Sequence, residues 1–395
     1  MTNVPDGPAA APPRPAPPAP AVATRARVAF VDVARALAVL LMILGHSLNV
    51  LLAPEYQQGS GFRAFLFLRG LTSGTFLLLS GFAFTIASSR YWESHLRPSR
   101  RALRRVRRFA FFALLGYTLR FPVDKFEHLL YLTPARWQYF LTVDILQCIG
   151  VTLLALQALV VLARTPRRFA IAAGGLAAAA VLITPAAWSV DWPRYLPLSV
   201  AAYLSPGTGS LFPLLPWSGF MLLGAALGYG YVRAWPADPQ AFARRVLLPA
   251  GGGMIALGLL LHQLPYNPLG VREFWTTSPN FFLIRAGCVL LILAGLSHAT
   301  RSPLHLPRVT AALAQESLLI YFIHLVVLYG SAWNLGLQHL LPAPFSPLPA
   351  LAWVGMMLLS MSALAWGWHW TKRRHPWVAV GCRATVAVLF WLSIR

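Results

Sequence analysis

The stretch Phe30-Val-Asp-Val-Ala-Arg-Ala-Leu-Ala-Val-Leu-Leu-Met-Ile-Leu-Gly-His-Ser-Leu-Asn49 decides the fold class. A bilayer is crossed by about 20 mostly apolar residues in a helix, and this run has that length and character. At about 100° per residue, the steps from Arg35 to His46 return to within about 20° of one direction. Asp32, Arg35, Met42, His46 and Asn49 therefore form one stripe on an otherwise apolar helix. With a rise of about 1.5 Å per residue, His46 stands about 16 Å beyond Arg35 along that helix.

The rest of the 395-residue chain reads the same way: 57% of residues are hydrophobic and only 11% charged, with mean hydropathy +0.60. A soluble globule carries roughly 25% charged residues. Apolar runs near 30–53, 62–88, 109–121, 138–163, 170–187, 210–232, 246–264, 281–299, 310–330, 348–370 and 376–394 predict an all-α polytopic membrane helix bundle. The count expected is ten to eleven transmembrane helices with no soluble domain, 109–121 and 376–394 being the segments least certain to span fully. A disordered Ala/Pro-rich tail over 1–26 precedes a single membrane domain over 27–395, because its composition extends as polyproline II and buries no core. The tail lacks a signal peptide's apolar core and cleavage site.

The net charge of +22 comes from 33 Lys+Arg against 11 Asp+Glu, and only Lys125 and Lys372 are lysines. Those arginines interrupt apolar runs instead of lining a polar face, which excludes nucleic acid as a partner. They collect in alternate loops: eight arginines over 90–108, then Arg164, Arg167 and Arg168, then Arg233, Arg244 and Arg245, then Arg301 and Arg308, then Lys372, Arg373 and Arg374. The positive-inside rule puts all of these, and the N-terminus, on the cytoplasmic side of a multi-pass protein of the cell membrane. The intervening loops are poor in charge or balanced, as with Arg272 and Glu273. Cys148, Cys288 and Cys382 are too widely spaced for a CxxC site, so neither a disulfide nor a metal is expected.

Ionisable side chains in lipid cost about 2.5–3.5 kcal/mol each even on insertion scales, so those that remain are functional candidates. Besides the Asp32–His46 stripe they are Arg69, in the glycine-rich Arg69-Gly-Leu-Thr-Ser-Gly-Thr-Phe-Leu-Leu-Leu-Ser-Gly81; Asp144 and Gln147, one helical turn apart; and Ser317, Tyr321 and His324, on one face of the segment after Glu316. Each has a structural alternative: an i,i+3 ion pair for Asp32 and Arg35, snorkelling for Arg69, a structural ion pair for Asp144, interhelical hydrogen bonds for the histidines and Tyr321. Asp144 is expected to pair with Arg69 at similar depth. Taken together, His46, Arg69, Asp144, Arg285 and His324 fall in the outer half, and Asp32, Arg35 and Glu316 nearer the cytoplasm, the layout of a polar channel.

At these residues the sequence resembles the bacterial relatives of the heparan-alpha-glucosaminide N-acetyltransferase catalytic domain, polytopic membrane acyltransferases. The likeness is carried by Val31 to His46, by Gly70 to Gly81, by Asp144-Ile-Leu-Gln-Cys-Ile-Gly150, by Phe212-Pro-Leu-Leu-Pro-Trp-Ser-Gly-Phe-Met-Leu-Leu-Gly224 and by Ser317-Leu-Leu-Ile-Tyr-Phe-Ile-His324. Arg35 and His46, ten residues between them, also resemble the Arg-x10-His motif of the acyltransferase-3 family. The usual Arg-Gly of the first motif reads Arg35-Ala36 here, and no histidine stands between His46 and His95.

The resemblance implies acetyl-CoA as cytoplasmic donor, with no metal, and a glycan hydroxyl or amino-sugar amine as acceptor on the far side. It implies His46, His324 and Asp144 as catalytic residues, Asp32 and Arg35 at the donor, and Asn49, Arg69, Gln147, Ser317 and Tyr321 at the acceptor. Histidine is the side chain suited to act as base near neutral pH, either directly or through an acyl-histidine relay. Membrane lipids are the surrounding partner, and oligomerisation is left open. A transporter or flippase for a glycan or lipid precursor would use the same polar residues as a substrate path. A non-catalytic assembly subunit would not require Arg35 and His46 on one stripe.

Overall fold

The computed structural model describes residues 28–263, 278–301, 308–341 and 344–394, so the expected disordered tail, and Arg272 with Glu273, lie outside the described residues. In chain order the main helices are α1 (Ala29–Leu51), α2 (Gly59–Ser89), α3 (Trp92–Leu96), α4 (Arg100–Leu119), α5 (Pro134–Leu141), α6 (Ile145–Ala163) and α7 (Pro166–Trp188). They are followed by α8 (Leu214–Ala234), α9 (Pro239–His262), α10 (Pro279–Ala299), α11 (Arg308–Gln315), α12 (Ser317–Tyr329), α13 (Pro347–Arg374) and α14 (Pro376–Ile394). The strands described are the two-residue pair Gly330–Ser331 and Asn334–Leu335. The chain is an all-α polytopic membrane bundle, as hydrocarbon demands of a backbone that must satisfy its own hydrogen bonds.

Among the described residues seven helices are long and apolar enough to cross a membrane, or eight if α11 and α12, bent by 74° at Glu316, count as one span. Three of the eleven expected segments fall outside that set. The first turns of α4 carry six arginines, Gly, Trp and Tyr lower the hydropathy of α8, and α14 is a shorter apolar stretch. Both α4 and α8 nevertheless belong to the bundle. The expected span over 138–163 is likewise two helices, α5 and α6. Between them the chain is held extended by bonds from Leu211 N and Phe212 N to Val143 O, and from Val143 N to Ser210 Oγ.

Close backbone contact, not side-chain bulk, sets the centre of the bundle. Helices α2 and α8 cross so tightly that a Cβ on Gly81 would collide with the carbonyl of Met221, and one on Gly224 with the carbonyl of Leu78. Small residues that let helices meet are the usual device where lipid offers no hydrophobic drive to association. Thr85 Oγ1 adds a bond across the same crossing to Ala225 O, at 2.9 Å. Outward-facing leucines and isoleucines such as Leu162, Ile171 and Leu359 are largely exposed, which is the surface a bilayer covers.

The two ends of the bundle differ in chemistry. The arginine-rich 90–108 segment, the start of α7 and the end of α13 lie at one end. There Glu316, 5% exposed at the α11–α12 bend, sits 2.6 Å from Lys372 Nζ and 3.3 Å from His369 Nδ1. The opposite end, where α1 and α4 finish and α6 begins, opens into a large cavity.

Candidate active site

That cavity, about 1600 Å³, exceeds the roughly 300–1,000 Å³ of a pocket for a drug-sized ligand. Met42, His46 and Asn49 from the α1 stripe line it together with Arg69, Asp144 and Tyr321, so helical spacing on four elements converges on one space.

At its floor His46 Nδ1 lies 3.1 Å from His324 Nε2. The other nitrogen of His324, Nδ1, lies 2.7 Å from Ile320 O, one turn back on α12. A carbonyl can only accept, so His324 Nδ1 carries a proton, and with His324 neutral its Nε2 is an acceptor. His46 Nδ1 is then the donor between the rings, and the lone pair of His46 is left on Nε2. His324 is fully buried behind His46, whereas His46 lines the cavity.

The acid of the site sits at a helix start. Asp144 is the N-cap of α6: its Oδ1 accepts from Ile145 N at 2.8 Å, and Gln147 Oε1 accepts from Asp144 N at 3.2 Å, a reciprocal capping box. Its Oδ2 lies 3.2 Å from Arg120 Nη2, and Tyr321 stands on the same cavity wall. The expected Asp144–Arg69 pair is therefore corrected to Asp144–Arg120. Helix α4 runs antiparallel against α6, so its last residue meets the first of α6.

Arg69 instead lies along α1. Its Nη1 is 3.4 Å from Gly45 O, and a Cβ on Gly45 would collide with its side chain. Arg285 on α10 is laid in the same manner over Gly70, where a Cβ would stand 2.9 Å from Arg285 Nη2. The Arg285 guanidinium is 4.1 Å over the Phe281 ring and 5.9 Å from Trp217. Arg136 completes a set of four arginines on the cavity wall, against which Asp144 is the one carboxylate among the described residues. Asn49 and Tyr329 are also on the wall.

Two expected acceptor residues fall elsewhere. Gln147 is fully buried in the capping box, its amide facing Gly116 of α4, and does not line the cavity. Ser317 opens α12 beside the Glu316 bend, two turns before His324, so the Ser317–Tyr321–His324 stripe reaches the cavity wall at Tyr321, with His324 buried behind His46. Asp32 and Arg35 lie toward the arginine-rich end, within Coulombic reach of each other and of Arg108, with Arg35 Nη2 3.5 Å from Leu79 O. Arg105 lies at that end too, bonded at 2.9 Å to Ser88 Oγ and stacked over Phe84, while its Nη1 is buried without a hydrogen-bond partner.

Sequence reasoning missed Arg120, Arg136, Trp217 and Tyr329 as members of the site. A usable signal existed for Arg120: loop-charge alternation runs α4 outward and α6 inward, which sets the end of one beside the start of the other. Trp217 had none, because a tryptophan in an apolar run reads as packing.

A family model for heparan-alpha-glucosaminide N-acetyltransferase, catalytic, matches residues 27–264, more than half of the chain. His46, Arg69, Arg120 and Asp144 fall inside the match, and Arg285, Tyr321 and His324 beyond it. No curated protein matches the chain.

Proposed function

This chain belongs to the heparan-alpha-glucosaminide N-acetyltransferase catalytic family, and on that premise of a membrane acetyltransferase we propose that it moves an acetyl group from cytoplasmic acetyl-CoA to a sugar hydroxyl or amine entering the outer cavity. The single observation that carries this reading is the oriented histidine pair: His324, anchored to Ile320 O, leaves His46 with an unprotonated Nε2 on the wall of a cavity large enough for a sugar.

In this mechanism His46 Nε2 takes the proton of the acceptor's hydroxyl or amine as the O or N attacks the thioester carbonyl. The new bond to the acetyl carbon forms, the C–S bond breaks, and the CoA thiolate takes the proton from His46 Nε2 as it leaves, which returns His46 to its neutral form. His324 Nε2 receives the Nδ1–H bond of His46 throughout and stabilises the imidazolium that forms, a positioning role. Arg35, Arg105 and Arg108, with Asp32 beside Arg35, supply the net-cationic inner end at which CoA phosphates arrive, charge-assisted bonds from guanidinium to phosphate being the strong kind. Asp144, held by Arg120, faces the acceptor together with Tyr321.

The test is turnover by the purified chain. Acetyl-CoA should release free thiol slowly alone and faster when glucosamine or methyl glucoside is added, with the acetyl group recovered on the sugar. Uptake of labelled sugar into proteoliposomes with no thiol release under any condition would favour the transporter and sink the acetyltransferase.

A further inference from the structure

Four arginines and one carboxylate line the outer cavity, a surplus of three positive charges among the described residues, and the carboxylate is already held by Arg120. Two of the remaining three are built in rather than draped over the surface. Arg69 lies in the space left by the missing side chain of Gly45, and the tip of Arg285 in the space left by that of Gly70. The two grooves are linked: Gly45 precedes the base His46, and Gly70 follows Arg69. Arg285 Nε is buried with no hydrogen-bond partner, its guanidinium lying between aromatic rings that supply cation–π contact and no counter-charge. A neutral sugar leaves that surplus uncompensated at membrane depth.

We infer that the acceptor carries an anionic oxygen group, the phosphate of a sugar phosphate or the carboxylate of a sugar acid, which Arg69 and Arg285 grip beside His46. Guanidinium suits this task because its planar fork matches both oxyanions. The inference rests on the acetyl-transfer reading only in calling the ligand an acceptor. The same arrangement explains why arginine, not lysine, stands at both positions: a fork can bind an oxyanion while its face stays packed on Phe281 or along α1.

Equilibrium binding to the purified full chain, with no acetyl-CoA present, tests it with glucose 1-phosphate, glucuronate and methyl glucoside. At least one of the anionic sugars should bind ten times tighter than methyl glucoside, and which one does so identifies phosphate or carboxylate. Arg285→Gln and Arg69→Gln should each reduce that preference tenfold or more, and Arg285→Lys should keep part of it. If a Gln variant does not fold, the wild-type preference and the Lys variant decide. Equal binding of all three sugars, or a preference unchanged by the substitutions, overturns the proposal. Displacement of the anionic sugar by free CoA also overturns it, since the arginines would then belong to the donor. Because no turnover is read, an intact anion preference without acetyl transfer sinks the enzymatic reading alone, and transfer to neutral sugars without anion preference sinks this one alone.

Discussion

His46 on α1 and His324 on α12 share one hydrogen bond, Nδ1 to Nε2 at 3.1 Å, and the second nitrogen of His324 is tied to Ile320 O at 2.7 Å. In the proposed acetyl transfer the direction of that chain gives His46 the part of base and His324 that of its support. Removing a general base usually lowers a rate by about 10²–10⁴, so His46→Ala should lose acetyl transfer on that scale while keeping acetyl-CoA binding. His324→Ala should lose less, and the double variant should be no slower than His46→Ala, because groups acting as a unit are not additive. Near-normal turnover in His46→Ala with none in His324→Ala would reverse the two roles.

At the α2–α8 crossing the atoms facing Gly81 and Gly224 are backbone carbonyls, which cannot rotate away as a side chain can. Overpacking a tight site typically costs about 1–3 kcal/mol, and here the helices themselves would have to part. Gly81→Ala should lower the melting temperature in detergent, and Gly81→Val should give no monodisperse protein. Gly175, on the exposed face of α7 with nothing within 4 Å of an added Cβ, is the control: Gly175→Ala should be neutral or stabilising. Equal losses at both positions would mean the crossing is not the tight element described.

His95, in α3 between two bundle helices, is buried at 4% exposure, and burial together with Arg105 and Arg101 brings its imidazole down to about 4. The unfolded chain therefore takes up this proton first as the medium is acidified. Its contribution to stability is complete above the ordinary value of 6.5 and is lost as pH falls toward 4. Melting in detergent at pH 7.5 and pH 5 should show the wild type losing more than His95→Gln between the two. The same loss in both would leave His95 without a part in acid sensitivity.

The α1 stripe was legible because an α-helix repeats its faces on a fixed period, so Asp32, Arg35, His46 and Asn49 could be aligned without knowing any neighbour. Depth was legible in part, since His46, Arg69, Asp144 and Arg285 line one cavity, while His324, placed with them from the sequence, is buried behind His46. Adjacency was not. Arg69 and Arg120 are both arginines near the outer end, and only the packing of α4 on α6 shows that Arg120 meets Asp144. The break at 142–144 was invisible to a hydropathy window, because Phe140-Leu141 before it and Ile145-Leu146 after it keep the run apolar while the backbone bonds of Val143 go to 210–212. That break turned Gln147 from a helix-face residue into half of a capping box.

Loop charge predicts that the 90–108 segment faces the cytoplasm and the 52–58 connection faces outward. Ser99 caps α4 through Ala102 N, so a label belongs on the exposed Arg97 instead. With Cys382 replaced by Ser, an impermeant thiol reagent added to intact cells should modify Ser60→Cys and spare Arg97→Cys until the membrane is opened. The opposite pattern would place the cavity on the cytoplasmic side and remove the argument for transfer across the membrane.

The Asp144–Arg120 bridge, 3.2 Å long with both side chains 16% exposed, predicts which arginine answers a change at Asp144. Contacting charged residues couple by about 0.5–3 kcal/mol in double-variant cycles, and residues that do not touch add independently. Asp144→Asn and Arg120→Gln should each destabilise the fold, and the pair together should destabilise it by clearly less than the sum. Asp144→Asn combined with Arg69→Gln should come close to the sum, because Arg69 is bonded to Gly45 O on another helix. Asp144→Asn also keeps a side-chain oxygen to cap Ile145 N, so its loss reports the bridge and not the start of α6. Coupling to Arg69 instead of Arg120, measured by denaturation of the purified variants, would mean that α4 does not deliver its last residue to the start of α6, and the cavity wall described above would have to be redrawn.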